Sequence, residues 1–388
     1  MVADNITKSA MARNEKSSFR PMLALASNIR ALQKFSSLLT EYTLYFAMFS
    51  HNIPINCDHM AKIARRFISL ALLTLVSSAS VSAANTKLCA IYPHLKDSYW
   101  LSVNYGMVKE SEKQGLQLKV LESGGYPNLD RQKKQIEQCA QWEADAIILG
   151  TVSPSAYIDD LGTHSQGIPV FATVNHLIVS GDQKQYLKGV VGVDWYWMGF
   201  KAGKYLADKH PKGSGKANVA LLAGPKHSGG TKPVIAGFKE AIINSDVIIT
   251  QTKWADNDKE LQRNLVQEVI ESNQVSYIVG SAVAIEAAIS EIRVANQQQN
   301  IGLVSTYLSH GVYRGLIRNK VEFATSDKMV LQGQLSVLQA SHYLNNQPYQ
   351  YDEAPKIEVL TPSNIDQNII SQSLSPSGYR PTFSVSPD

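Results

Sequence analysis

Beyond residue 85, short apolar runs and helix-length stretches take turns with a regularity that few folds can satisfy. LCAIYP (88–93) leads to a helical stretch at 102–114, LQLKVLES (116–123) to one at 130–142, AIILGT (146–151) to one at 154–165, and PVFATV (169–174) follows. A second series opens with VVGVD (190–194) and continues through helix 196–209, ANVALLAG (217–224), helix 231–244 and VIITQT (247–252). It then runs through helix 257–272, VSYIVGS (275–281), helix 283–296 and IGLVST (301–306). Strand and helix in strict alternation build parallel sheets from βαβ units, and runs as continuously apolar as these suit strands covered on both faces. The chain is therefore read as α/β, with two doubly wound parallel-sheet lobes in tandem. Ligands of such sheets bind beyond the carboxyl ends of the strands, so the loops after the strands are where a function is sought.

Ahead of this repeat, Met60 opens a short basic region (Lys62, Arg65, Arg66), an apolar run at 67–76, and small residues ending VSAA at 81–84. That is the pattern of a secretory signal peptide. The run is too short to span a bilayer comfortably, so cleavage after Ala83 or Ala84 is expected, giving a periplasmic mature chain with no membrane insertion after processing. Residues 1–59 carry no clean motif and are read as translation taken from too early a start. Of the three cysteines, only Cys89 and Cys139 follow the cleavage point, and an exported pair is a candidate disulfide. Cys89 lies early on the first strand and Cys139 late on the helix leading into the third. In a flavodoxin-like order that helix crosses over the first strand and brings both to one end of the sheet.

Several chemistries are excluded. The formal charge is +4, yet residues 1–84 hold nine Lys/Arg and four Asp/Glu, leaving 28 basic against 29 acidic residues in the folding part. A near-neutral body has no electrostatic footprint for nucleic acid. KGSGKAN (212–218) lacks the first glycine and the final hydroxyl of a phosphate loop, with His210 and Ala217 in those places, and reads as a polar turn. The nine histidines show no HExxH spacing, no cysteine pair has zinc geometry, and no GxSxG elbow precedes a helix. No metal, cofactor or catalytic constellation is expected, and the chain is read as a binding protein and not an enzyme.

Aromatic residues gather where ligands should bind. The loop after the first strand reads KDSYW (96–100), the loop after the second GGYPN (124–128), and the second series begins with VDWYW (193–197). Tyr and Trp faces attract quaternary ammonium groups, and their O–H and N–H groups donate hydrogen bonds, so a compact methylated amine is a natural guest. Trp197 is expected to pack in the helix start, and Trp142 and Trp254 to lie in the core or on a lobe surface.

From about Lys87 to Gln347 the chain resembles the ribose-type periplasmic binding proteins (type I), a fold shared with the core of the lactose-repressor family. KDSYW, ESGGYPN, GTVSPSAY and VGVDWYWMGFKAGKY carry the likeness. It is similar above all to members that hold trimethylamine N-oxide for a membrane sensor histidine kinase. The resemblance implies two lobes joined by a three-strand hinge, crossed near 188–190, 325–327 and 349–352. The first lobe would comprise 85–189 plus 327–350, the second 190–326 plus 351–361, and an irregular tail 362–388.

Sugar binders of the family place polar clamps where this chain has Val174 and Asn175, Ala282 and Val283, and Tyr307. Buried sugar hydroxyls without partners would cost about 1–3 kcal/mol each, so sugar is disfavoured. Carried over residue by residue, the resemblance puts Tyr99, Trp100, Tyr126 and Trp195 around the methyl groups, Tyr307 beside them, and Asp97 near the cationic nitrogen. Asp97 has an equal claim to cap the helix that begins after it. The competing function is the substrate-binding subunit of an ABC importer for a small ligand. A repressor would need a helix-turn-helix where the signal peptide stands.

Overall fold

The computed structural model describes residues 86–387, other than 227, 273 and 297–299; the expected signal peptide and upstream extension lie outside the described residues. The first series folds as β1 (Lys87–Tyr92), α1 (Ser98–Gln114), β2 (Gln117–Glu122), α2 (Leu129–Gln141), β3 (Ala146–Leu149), α3 (Leu161–Ser165), β4 (Val170–Val174) and β5 (Leu187–Gly192). The second folds as α4 (Trp195–Lys209), β6 (Ala217–Leu222), α5 (Thr231–Ala241), β7 (Val247–Lys253), α6 (Lys259–Ser272), β8 (Tyr277–Gly280), α7 (Ala282–Val294), β9 (Gly302–Ser305), α8 (His310–Ile317) and β10 (Phe323–Ser326). The chain ends in α9 (Met329–Leu344), β11 (Asp352–Glu353), β12 (Glu358–Leu360), α10 (Gln367–Ser373) and β13 (Ser384–Val385). Two sheets result, ordered β11-β5-β4-β3-β1-β2-β13 and β12-β10-β9-β8-β6-β7. All pairs are parallel except β10 with β12 and β2 with β13. The α/β reading with two doubly wound lobes holds.

The apolar runs bury as their composition requires: every residue of β3, β4, β8 and β10 is buried. Each lobe also seats one helix pair at glycines. A Cβ on Gly106 of α1 would come 2.0 Å from the Val330 carbonyl oxygen of α9, and one on Gly199 of α4 1.9 Å from that of Val234 on α5. Only glycine admits backbones this close. Cys89 and Cys139 are joined as a disulfide, with Cα atoms 5.7 Å apart and both sulfurs in the apolar layer between β1 and α2.

The structure moves three boundaries. VVGVD does not open the second lobe: β5 pairs with β4 and β11 in the first sheet. Asp194 already caps α4, accepting from the Trp197 N–H at 3.0 Å, so the chain crosses at Val193–Asp194 and not at 188–190. Residues 352–353 likewise stay in the first sheet beside β5, and the third crossing falls between Glu353 and Glu358. The helix expected over 154–165 shrinks to α3, because the carbonyls of Pro154 and Ile158 accept from Ile178 N (2.8 Å) and Ser180 N (2.9 Å) instead of continuing a helical ladder. The tail is less irregular than expected. It leaves the second sheet at β12, forms α10, and returns to the edge of the first sheet as β13, a fourth passage between the lobes. Along the way His310 of α8 bonds the Ser375 carbonyl (2.8 Å), while Ser102 and Asn104 of α1 bond Ser375 and Thr382.

Candidate ligand-binding site

The loops that follow β1, β2, β4 and β5, and those that follow β6, β7, β8 and β9, converge between the lobes on a small cavity of about 40 Å³. A water needs about 10–15 Å³ on this measure, so the space suits a ligand of a few heavy atoms. Asp97, Tyr99, Trp100, Tyr126, Trp195 and Tyr307 all line it. The structure thus brings together all six residues singled out in the sequence.

Tyr99 and Trp100 enter from the first turn of α1. That turn is fixed by Asp97, whose carboxylate accepts from the Trp100 N–H at 3.1 Å; Asp97 both caps the helix and lines the cavity. Trp100 stacks on Tyr92 (5.4 Å, 28°) and is almost wholly buried. Trp195 arrives from the other lobe, at the start of α4, with its ring 6.3 Å from that of Tyr99 and inclined by 29°. Tyr307 meets Tyr99 edge-on at 5.4 Å and 84°.

Two glycines shape the seats of the indoles. A Cβ on Gly150 would lie 2.5 Å from Trp100 Cη2, and one on Gly230 2.6 Å from Trp195 Cδ2. Gly230→Ala is therefore expected to push the Trp195 ring into the cavity and weaken ligand binding roughly tenfold, about 1.4 kcal/mol, while the lobes stay folded. Calorimetry with circular dichroism checks this, and unchanged affinity would contradict it.

Polar groups of the cavity divide into satisfied and waiting. Burial, first of all, pushes the Tyr126 hydroxyl up to about 12 and those of Tyr99 and Tyr307 well above their ordinary value, so all three remain donors at neutral pH. The Tyr126 hydroxyl accepts from Asn175 Nδ2 at 3.4 Å. Trp195, which lines the cavity, keeps its Nε1 buried with no partner, a donor left unused. No Lys, Arg or His lines the cavity. Among the described residues no cluster of His, Cys, Asp and Glu is placed to hold a metal ion.

Sequence reasoning missed the second half of the lining, Ser228, Thr231, Asn257 and Thr306 among them, and read Asn175 only as a lost sugar clamp. Asn175 owes its place to Val174, whose φ of 63° and the Asn175 N to Thr173 O bond of 2.6 Å make a tight three-residue turn. A β-branched residue in this region costs on the order of 1–3 kcal/mol and such strain gathers at functional sites. The turn delivers Asn175 Nδ2 to the Thr151 carbonyl at 2.7 Å. Trp197 lies in the first turn of α4, as expected, but stands 44% exposed, packed edge-on against Phe200 at 4.9 Å with Lys201 over its ring. Two residues past Trp195, about 200° around the helix, it turns outward from the lobe.

Residues 85–346 match the family of periplasmic binding proteins and sugar-binding domains of the LacI family. The chain belongs to this family. The periplasmic binding proteins similar to it include the periplasmic protein TorT of Escherichia coli K12, 46% identical over 299 residues, which covers 76% of this chain and 84% of the relative. Two crystal structures of a TorS sensor domain–TorT complex also match. The one without ligand is 64% identical and the one with trimethylamine N-oxide (TMAO) 65%, each with a TM-score of 0.73 and covering 77% of this chain and 99% of that chain.

Proposed function

We propose that this binding protein captures trimethylamine N-oxide between its lobes in the periplasm and reports it to the periplasmic domain of a membrane sensor histidine kinase, without transforming it. The observation that carries the reading is the box itself: rings from both lobes enclose a space of a few heavy atoms that no basic side chain lines. Methyl groups on a positively charged nitrogen suit the ring faces, and the unpartnered Trp195 N–H suits the oxide oxygen. Likeness to a TorT that forms a complex with a TorS sensor domain supports the signalling half over import. Thermal-shift screening of the purified protein against methylated amines, N-oxides and sugars tests the ligand, and co-elution with the periplasmic domain of a TorS-type kinase tests the partner. Stabilisation by a pentose alone, or elution apart from the kinase domain with and without ligand, would sink the respective half.

A further inference from the structure

Asp327 sits where β10 hands the chain back to the first lobe, and it is fully buried. Its Oδ2 accepts the Tyr99 hydroxyl in a short hydrogen bond and Gln332 Nε2 at 2.9 Å. Its Oδ1 has no partner, and neither does the neighbouring Gln332 Oε1. Tyr99 thus points its hydroxyl at this carboxyl and its ring at the cavity, where it meets Trp195 and Tyr307.

A buried carboxylate ordinarily has a cation beside it. Glu110, also buried, has Lys113 at 3.2 Å. Asp97, the carboxylate that lines the cavity, is partly exposed and takes the backbone N–H of Trp100; Asp256, next to the lining residue Asn257, is partly exposed and takes the N–H of Asn257. Asp327 has neither solvent nor an ion pair. Burial accordingly raises its pKa, opposed by the bonds from Tyr99 and Gln332 and by its own backbone N–H. One aromatic ring away lies a cavity whose lining contains no cation.

We propose that Asp327 is a specificity-determining residue: its carboxylate, held behind Tyr99, awaits the positive nitrogen of the ligand as its counter-charge and so selects charged over neutral guests of the same shape. The inference rests on the box taking a methylated amine. A carboxylate accepting from a phenol also enriches the ring in electron density, and an electron-rich face draws a cation more strongly. The arrangement trades stability of the empty protein for selectivity, since an uncompensated buried charge opposes folding until the ligand arrives.

The test is Asp327→Asn, which keeps an acceptor for Tyr99 and Gln332 and removes the charge. Calorimetry would compare TMAO, tetramethylammonium and the neutral isostere tert-butanol on wild type and variant, with thermal unfolding of both in the absence of ligand. The expected result is a loss of roughly tenfold or more for tetramethylammonium, a smaller loss for the dipolar N-oxide, an unchanged affinity for tert-butanol, and an unliganded midpoint equal to or above that of wild type. Equal losses for all three compounds, an undiminished preference for the charged ones, or a variant that is less stable or fails to fold would each overturn the proposal and leave Asp327 a structural anchor. Wild-type protein that binds none of the three would instead reject the box reading itself.

Discussion

Trp195→Ala is expected to weaken TMAO binding by at least tenfold and to leave the fold intact. Trp195 is only partly buried and stands at the entry of α4, so its removal opens the cavity without hollowing a core. The loss has two sources. An aromatic face contributes about 0.5–2 kcal/mol to a cation, and a hydrogen bond from the free Nε1–H to a charged oxygen about 1.5–3 kcal/mol. Trp195→Phe separates them, because it keeps a ring and discards the donor. If the N–H holds the oxide oxygen, the phenylalanine variant loses nearly as much N-oxide affinity as alanine while still binding tetramethylammonium, which has no oxygen. Trp100 cannot be probed so bluntly: it is 1% exposed and stacked on Tyr92, and truncating such a residue to alanine costs about 3–5 kcal/mol of stability. Full N-oxide affinity in a folded Trp195→Ala protein would refute the aromatic box.

The second large effect concerns stability. Cys89 and Cys139 close a loop of 50 residues, for which chain entropy gives about 4 kcal/mol. Both are inaccessible to solvent, packed among Ile91, Ile136, Ile147 and Leu149. The double Cys→Ala variant, which adds no polar group to that layer, should unfold some 2–4 °C lower for each kcal/mol lost. Binding should be little changed, because the bond lies on the α2 face of the first sheet, away from the cavity lining. An unchanged unfolding midpoint would show that the bond constrains nothing that matters.

The sheets were legible in the sequence because strands covered on both faces must be apolar throughout, as AIIL of β3 is. The allocation of β5 was not legible, since an apolar run shows that a strand is buried and not in which sheet. β11 and β13 are two residues long and owe their existence to the strands they pair with. At the site, the aromatics stood out because Tyr and Trp at three strand ends are unusual there. Asn175 was legible as a clamp position but not in its contacts, because they depend on a strained turn at Val174 that side-chain type disguises. Asp327 was not legible: it lies 228 residues from Tyr99 in sequence and comes to stand behind that ring only through the hinge. The glycine seats at 150 and 230 were equally silent, being visible only once a ring lies over them.

Whether the box holds TMAO is decided by calorimetric titration of the wild-type protein with TMAO, run beside an identical titration with ribose. A saturable single-site heat is expected for the N-oxide and none for ribose. Saturable binding of ribose together with no response to the N-oxide would contradict it.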